Sequence, residues 1–531
     1  MQPTKIALYF AALAGTPLAY SAEGDFARLC AQLKNADLYH TQLKSADYVD
    51  SGIIPADPNS AITGSTVREV KTGGHCVVRA EIEPRTGANG HHYGINYELR
   101  LPQQWNGKFL FQGGGGSNGF VAAAVGSIPS SNSTARSALE RGYAVVSMDS
   151  GHGTYTPGTP TGWDMAFAGD QQARLDYAYT SIGKVTQQAK TLINALYQKE
   201  PRHSYFMGCS NGGREAMIAA QRYPNEFDGV VVGNAAFRLS RASVNSAYVQ
   251  RALVTSAPAN KGVSLLTARD LAILQKGILK QCDAKDGLKD GIINAWEQCD
   301  FKPEMVENEL GKEKVELVKT IFSGARNSRG EALYSAFPYH SSLTVPEWYE
   351  SWFGKDFATA TSMNATLLVP FLIKYFSQPA VAELSTFNFD TDIAKTLNTR
   401  GLTDADSTDL STFRANGGRM VIFEGTADPF FSAFDQRDWY QEMDRFMGNA
   451  PEFARLFTVP GLAHCSGGNA LDDFDPLTTL ENWREKGEVP DSMLAKGSNG
   501  LAGKSQPVCA YPKVAMYKGG DSNKAESFEC R

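Results

Sequence analysis

Ser210 stands between Gly208 and Gly212 in "YFMGCSNGGREAM", the G-x-S-x-G spacing. An apolar stretch runs into it and a helical pattern leaves it, as a nucleophile elbow requires: small neighbours permit a tight turn that exposes the hydroxyl at a helix N-terminus. A serine at its free pKa is a weak nucleophile and needs a positioned base. In the chain order of such elbows the acid and then the histidine follow the serine. Of the 8 histidines, His340 and His464 lie beyond Ser210. His340, in "AFPYHSSLT", sits among residues suited to packing or surface; His464, in "FTVPGLAHCSGG", sits where an apolar strand runs out into a loop, and is the expected base. Asp428, in "RMVIFEGTADPFFS", has the same placement past a strand, halted by Pro429, and is the acid expected to orient the imidazole. Glu424, Asp404, Asp406, Asp409 and Asp435 nearby read as solvated charges or caps. Acyl transfer also needs N–H donors for an oxyanion. Asn211, directly after the serine, supplies one; the glycines 113–116 supply another, with Gly115 or Gly116 favoured.

Cys209 precedes the candidate nucleophile and Cys465 follows the candidate base. A disulfide between them would hold the serine and histidine loops side by side, although two separately buried thiols would also account for the residues. Counting does not fix the pairing of 8 cysteines. Local spacing favours Cys282 with Cys299, Cys509 with Cys530, and Cys30 with Cys76. No C-x-x-C pair points to structural zinc.

A second chemistry lies in "CDAKDGLKDGIINAWEQC", where Asp283, Asp286 and Asp290 recur at short intervals with glycines between them. Calcium takes six to eight hard oxygen ligands, and glycines let a short loop wrap around it. The carboxylates of Asp283, Asp286 and Asp290 with the carbonyls of Leu288 and Ile292 are the expected cage, a structural Ca2+ site far in sequence from the serine. The twelve-residue spacing of an EF-hand is absent.

The elements that must hold these residues alternate. Strand patterns occur at 95–101, "KFLFQ", "YAVVSMDSGH", "SYFMG", "FDGVVVGNAA" and "RMVIFEG", with helical patterns at 134–142, 187–197 and after Ser210. Alternation of this kind builds a mostly parallel α/β sheet. Between residues 237 and 415 the rhythm gives way to longer helical patterns and aromatic clusters, read as one large insertion. The expected organisation is a signal peptide over 1–21, a catalytic core over 22–236 and 416–531, and an inserted lid over 237–415 that carries the calcium loop. The N-terminal segment has one lysine, a short apolar run and small residues Ala19 and Ser21 before the cut. Export would place the chain in the periplasm or the medium, where disulfides form. That apolar run is too short for a membrane span. A net charge of −6 leaves no basic excess for binding nucleic acid.

Cys209-Ser210, Asp428 and His464-Cys465, together with "LPQQWNGKFLFQGGGG", "ALERGYAVVSMDSGHG", "CDAKDGLKDGII" and "VPGLAHCSGG", resemble the tannase/feruloyl esterase family over most of the chain. The resemblance implies an α/β-hydrolase core with a large lid, calcium in the lid, and secreted hydrolysis of small aromatic esters with feruloyl, galloyl or terephthaloyl acyl groups. In the family's terephthalate-monoester hydrolases an arginine on a lid helix receives the free carboxylate. The matching place here is near Leu372, where Lys374 is the basic residue. Trp348, Trp352, Phe371 and Phe376 are candidates to sandwich an acyl ring, each equally suited to the core. An acyltransferase using the same trio, or a calcium-stabilised binding protein without catalysis, are the alternatives.

Overall fold

The computed structural model describes residues 22–60, 68–129, 132–256 and 262–531. The expected signal peptide lies outside them. Nine strands form one sheet: β1 (Thr41–Val49), β2 (His75–Thr86), β3 (His92–Pro102), β4 (Lys108–Gln112), β5 (Ala144–Met148), β6 (His203–Cys209), β7 (Gly229–Gly233), β8 (Arg419–Gly425) and β9 (Ala454–Val459), in the order β1-β2-β3-β5-β4-β6-β7-β8-β9. The pairs at the β1 end are antiparallel, and every pair from β5–β4 to β8–β9 is parallel.

The parallel strands read as near-continuous apolar runs because helices cover both faces of such a sheet. Their side chains divide by the two-residue period of a strand. Leu110, Val145, Tyr205, Val231, Val421 and Phe457 pack into one core, and Phe109, Val146, Phe206, Val230, Ile422 and Leu456 into the other. Helix α1 (Ser181–Tyr197) and helix α2 (Asn211–Arg222) contribute to the second core through Val185, Leu192, Met217 and Ile218. The acyl-transfer candidates sit where parallel strands end: the glycines after β4, Ser210 after β6, Asp428 after β8 and His464 after β9. That is the end of an open α/β sheet at which binding crevices form.

β7 and β8 are paired neighbours, yet a long helical segment lies between them in sequence. It includes helices α3 (Leu239–Ser256), α4 (Ala268–Cys282) and α5 (Pro346–Phe353). Its own core gathers Leu274, Phe322, Phe337, Trp348 and Trp352, and it packs on Phe430 and Phe431 beyond β8. Disulfides join Cys30–Cys76, Cys282–Cys299 and Cys509–Cys530 as well as Cys209–Cys465. Among the described residues no helix is long and apolar enough to cross a membrane.

One expected helix is not formed. Residues 134–142 contain only a 3₁₀ turn, Leu139–Arg141, closed by Gly142 at φ 88°. Ser137 and Glu140 exchange the two bonds of a capping box and the Arg141 N–H reaches the Ser137 carbonyl at 3.1 Å, but Gly142 in the left-handed region closes the turn before a second one forms.

Candidate active site

Ser210 occupies the turn between β6 and α2 at φ 62°, ψ −126°, a left-handed conformation that side chains rarely adopt. The turn is possible because bare backbone meets bare backbone around it. A Cβ on Gly208 would stand 2.5 Å from the Gly212 carbonyl carbon, and one on Gly212 would stand 2.7 Å from the Gly114 oxygen. The Ser210 N–H donates to the Gly233 carbonyl at 3.0 Å, tying the elbow to the end of β7.

Asp428 is buried at 2% exposure and has both oxygens committed. Oδ1 accepts from the N–H groups of Phe430 at 2.7 Å and Phe431 at 3.1 Å. Oδ2 accepts from Asn234 Nδ2 at 2.7 Å and pairs with His464 Nδ1 at 2.7 Å. The rings of Phe430 and Phe431 lie 5.0 and 5.4 Å from the imidazole and wall it on the side of β8. Ser210 and His464 line one cavity of about 270 Å³, together with Cys209, Cys465 and glycines 113–116. The Cys209–Cys465 disulfide, with Cα atoms 6.0 Å apart, joins the two loops across 256 residues of sequence.

The expected oxyanion donors border the same space. Asn211 opens α2, so its N–H has no acceptor within the helix. In the glycine loop, Gly113 N–H donates to the Met207 carbonyl and Gly114 N–H to Glu215, whereas those of Gly115 and Gly116 have no partner among the described residues. The arrangement is one that can carry out acyl transfer: a hydroxyl on a strained turn, an imidazole held by a carboxylate, and unpaired N–H groups at a helix start and a glycine loop.

His340 takes no part. It is buried 5.0 Å from the Trp348 ring, and burial pushes its pKa down to about 3. Of the aromatic candidates, Phe371 lines the cavity, while Trp348, Trp352 and Phe376 are core residues at no more than 1% exposure. Leu372 is buried outside the lining, and Lys374 is exposed. Of the carboxylates expected to be solvated charges or caps, Glu424 is neither. Glu424 is fully buried beside Asp428 and Asp435, and desolvation raises its pKa well above the usual carboxylate range. Asp435 is buried against Arg238 at 2.7 Å, and Asp404 accepts from the Ser240 N–H at the start of α3. Asp406 pairs with Arg400, and Asp409 accepts from the Ser411 N–H. Asn234 was not anticipated; its signal was an asparagine directly after an apolar strand, a residue type that tolerates the φ of 35° found there.

The disulfide-closed loop after α4 is built around its aspartates. Asp283 accepts from the Gly291 N–H at 3.0 Å, Asp286 from Leu288 and Asn294, and Asp290 from Ile292. Among the described residues no three His, Cys, Asp or Glu side chains already form a metal-binding group. The donor chemistry nevertheless fits calcium: all-oxygen, partly buried, and short of cationic neighbours except Lys504, 3.4 Å from Asp290. Burial raises the pKa of Asp283, and that of Asp286 to about 6, with the charge of Asp290 adding to both shifts. A divalent cation would reverse that strain.

Residues 76–531 match the family model described as tannase and feruloyl esterase. The chain is 36% identical over 512 residues to mono(2-hydroxyethyl) terephthalate hydrolase of Piscinibacter sakaiensis, covering 86% of this chain and 84% of that protein. It is 28% identical to a probable feruloyl esterase of Arthroderma benhamiae, over 83% and 84% of the two chains. The fold is that of the crystal structure of feruloyl esterase B from Aspergillus oryzae, with a TM-score of 0.77 at 23% identity, covering 95% of this chain and all (100%) of that one. Tannin acyl hydrolase from Aspergillus niger superposes at a TM-score of 0.74 and 19% identity, over 95% of each chain.

Proposed function

The chain belongs to the tannase and feruloyl esterase family, and from that premise we propose that it hydrolyses carboxylic esters of aromatic acids with Ser210, His464 and Asp428 as its triad. The observation that carries this reading is the 2.7 Å pair of His464 Nδ1 and Asp428 at the wall of a cavity that Ser210 also lines. With Nδ1 engaged, Nε2 is the nitrogen free to work. Ser210 Oγ bonds to the ester carbonyl carbon while its proton passes to His464 Nε2, and Asp428 stabilises the imidazolium without taking the proton. The carbonyl oxygen becomes an oxyanion held by the N–H of Asn211 and that of Gly115 or Gly116. Collapse breaks the ester C–O bond, and His464 gives its proton to the departing alcohol. Water then repeats the sequence on the acyl-serine and releases the aromatic acid.

The substrate is an aromatic ester without a free acid group. Among the described residues that line the cavity, Glu347 and His464 carry the ionisable side chains, and neither lysine nor arginine is present. An apolar wall of Leu367, Leu368, Phe371, Phe430 and Phe431 suits a ring, and a phenolic hydroxyl could donate to Glu347, which would repel a carboxylate. The calcium proposed for the loop of Asp283, Asp286 and Asp290 is structural: it neutralises the carboxylates, and no step of cleavage passes through it. Export to an oxidising compartment is supported by the four disulfides of the structure.

The test is kcat/KM for methyl ferulate, methyl gallate and mono(2-hydroxyethyl) terephthalate, with Ser210→Ala alongside. The expected order has a phenolic ester roughly tenfold or more ahead of the terephthalate monoester, the factor that one unfavourable charge contact of about 1.4 kcal/mol would produce. Ser210→Ala should lose at least about 10³-fold. Undiminished cleavage by the variant would end the mechanism, and a preference for the monoester would end the assignment of Glu347.

A further inference from the structure

One buried carboxylate near the site has no part in the mechanism above. Glu215 is 1% exposed, one helical turn after Asn211 on α2. It forms no ion pair among the described residues. Its neighbour Arg214 turns away, to Asn211 Oδ1 and to the carbonyls of Tyr177, Ala178 and Thr403. A charge taken out of water without a counterion is unfavourable unless hydrogen bonds replace its hydration. Here they do, and they come from three different segments. Oε2 accepts from the Gly114 N–H at 3.0 Å; Oε1 accepts from Asn118 Nδ2 at 2.7 Å, Ser150 Oγ at 3.2 Å and Asn211 Nδ2 at 3.4 Å. Glu215 thus joins the glycine loop, the end of β5 and the first residue of the nucleophile helix.

We infer that Glu215 is a positioning residue that sets the distance between the two oxyanion donors, an inference that rests on the esterase mechanism proposed above. One donor, the Asn211 N–H, belongs to α2. The other, on Gly115 or Gly116, belongs to a loop with no side chains of its own to hold it. The carboxylate of Glu215 takes the N–H immediately before those two, which have no partner among the described residues. The Asn118 amide, itself donated to Glu215, fills the space where a Gly114 side chain would be: a Cβ there would stand 2.1 Å from Asn118 Oδ1. Loop and helix meet backbone to backbone beside it, where a Cβ on Gly113 would stand 2.6 Å from the Gly212 Cα, and the carboxylate links the two. A donor displaced by even about 1 Å forfeits much of its stabilisation of the transition state while leaving substrate binding nearly untouched.

Glu215→Gln tests this, because it keeps the size of the side chain but replaces one acceptor oxygen by an NH2 group, so that either the Gly114 N–H or the Asn118 amide faces a donor. In the folded variant, as judged by its melting curve, kcat should fall roughly 10- to 100-fold with KM changed by less than about threefold. Affinity for phenylboronic acid should fall with kcat, since boron takes the Ser210 Oγ electrons, His464 takes the proton, and the product is a tetrahedral anion like the transition state. Affinity for coniferyl alcohol, a ring with no carbonyl, should not move. Wild-type kcat and boronate affinity in the variant would overturn the inference, as would an equal weakening of boronate and alcohol. Should Glu215→Gln fail to fold, Asn118→Ala gives the same test, with a smaller loss in the same direction expected and an unchanged kcat overturning it. Cleavage surviving in Ser210→Ala would instead defeat the esterase mechanism; an inert Ser210→Ala beside an unaffected Glu215→Gln would defeat this inference alone.

Discussion

Asp428 illustrates how much of the site is decided by single hydrogen bonds. Its position after a strand was legible in the sequence, but its fitness as an acid comes from four partners, of which only the histidine was foreseen. Asn234 lies 194 residues away and supplies a bond at 2.7 Å to the same oxygen that holds His464. Asp428→Asn keeps the shape but favours the wrong imidazole tautomer, and kcat should fall by roughly 10⁴-fold with little change in melting. Stopped activity assays and a melting curve on one preparation check this, and a loss under tenfold would remove Asp428 from the triad. His340 is the contrasting case. Its native pKa of about 3 lies below the ordinary 6.5, so it is neutral when folded and takes up a proton on unfolding in acid. Its contribution to stability is fully present above pH 6.5 and is lost as pH falls toward 3, by up to about 1.4 kcal/mol per pH unit. His340→Asn, whose amide oxygen can replace Nδ1 as acceptor for the Ser342 N–H, should show a shallower loss between about pH 6 and 4 in urea unfolding. Parallel curves for the two proteins would assign the acid sensitivity to other groups.

At the scale of elements, the central strands were legible because both of their faces are covered, which demands unbroken apolar runs. The stretch 134–142 was misleading because its helix-start signal at Ser137 and its stop signal at Gly142 lie too close together for more than one turn. A single 3₁₀ turn, Leu139–Arg141, results. The loop after β6 and the loop after β9 belong to strands with two others between them in the sheet, and the Cys209–Cys465 disulfide closes that gap. Replacing both cysteines by serine should destabilise the protein by about 2–5 kcal/mol and should lower kcat as well, since the serine and histidine loops lose their shared anchor. Denaturant titration and kcat measured together decide the matter. A variant that is less stable but equally fast would show that the bond serves the fold alone.

For the molecule as a whole, the sheet supplies the acyl-transfer groups and the helical segment between β7 and β8 supplies much of the apolar wall, including Met363, Leu367 and Phe371. The calcium proposed for that segment would stabilise the fold around it. Titrating calcium into chelator-treated protein should raise the melting temperature, with a stabilisation of about 2.7 kcal/mol at a hundredfold excess over Kd. Asp283→Ala should abolish the response and leave kcat at low temperature intact; melting indifferent to both calcium and chelator would remove the metal. What the sequence determined by itself was the set of groups with intrinsic chemistry and their order along the chain. Ser210 between glycines, and a histidine and an aspartate after apolar strands, are recognisable because each is a local pattern in the chain. Tertiary structure alone decided which neutral or buried neighbours hold those groups: Asn234 on Asp428, Glu215 on Gly114, Phe430 and Phe431 around His464. Hydrogen bonds and packing act over a few ångströms, and only folding brings residues so far apart in the chain within that reach.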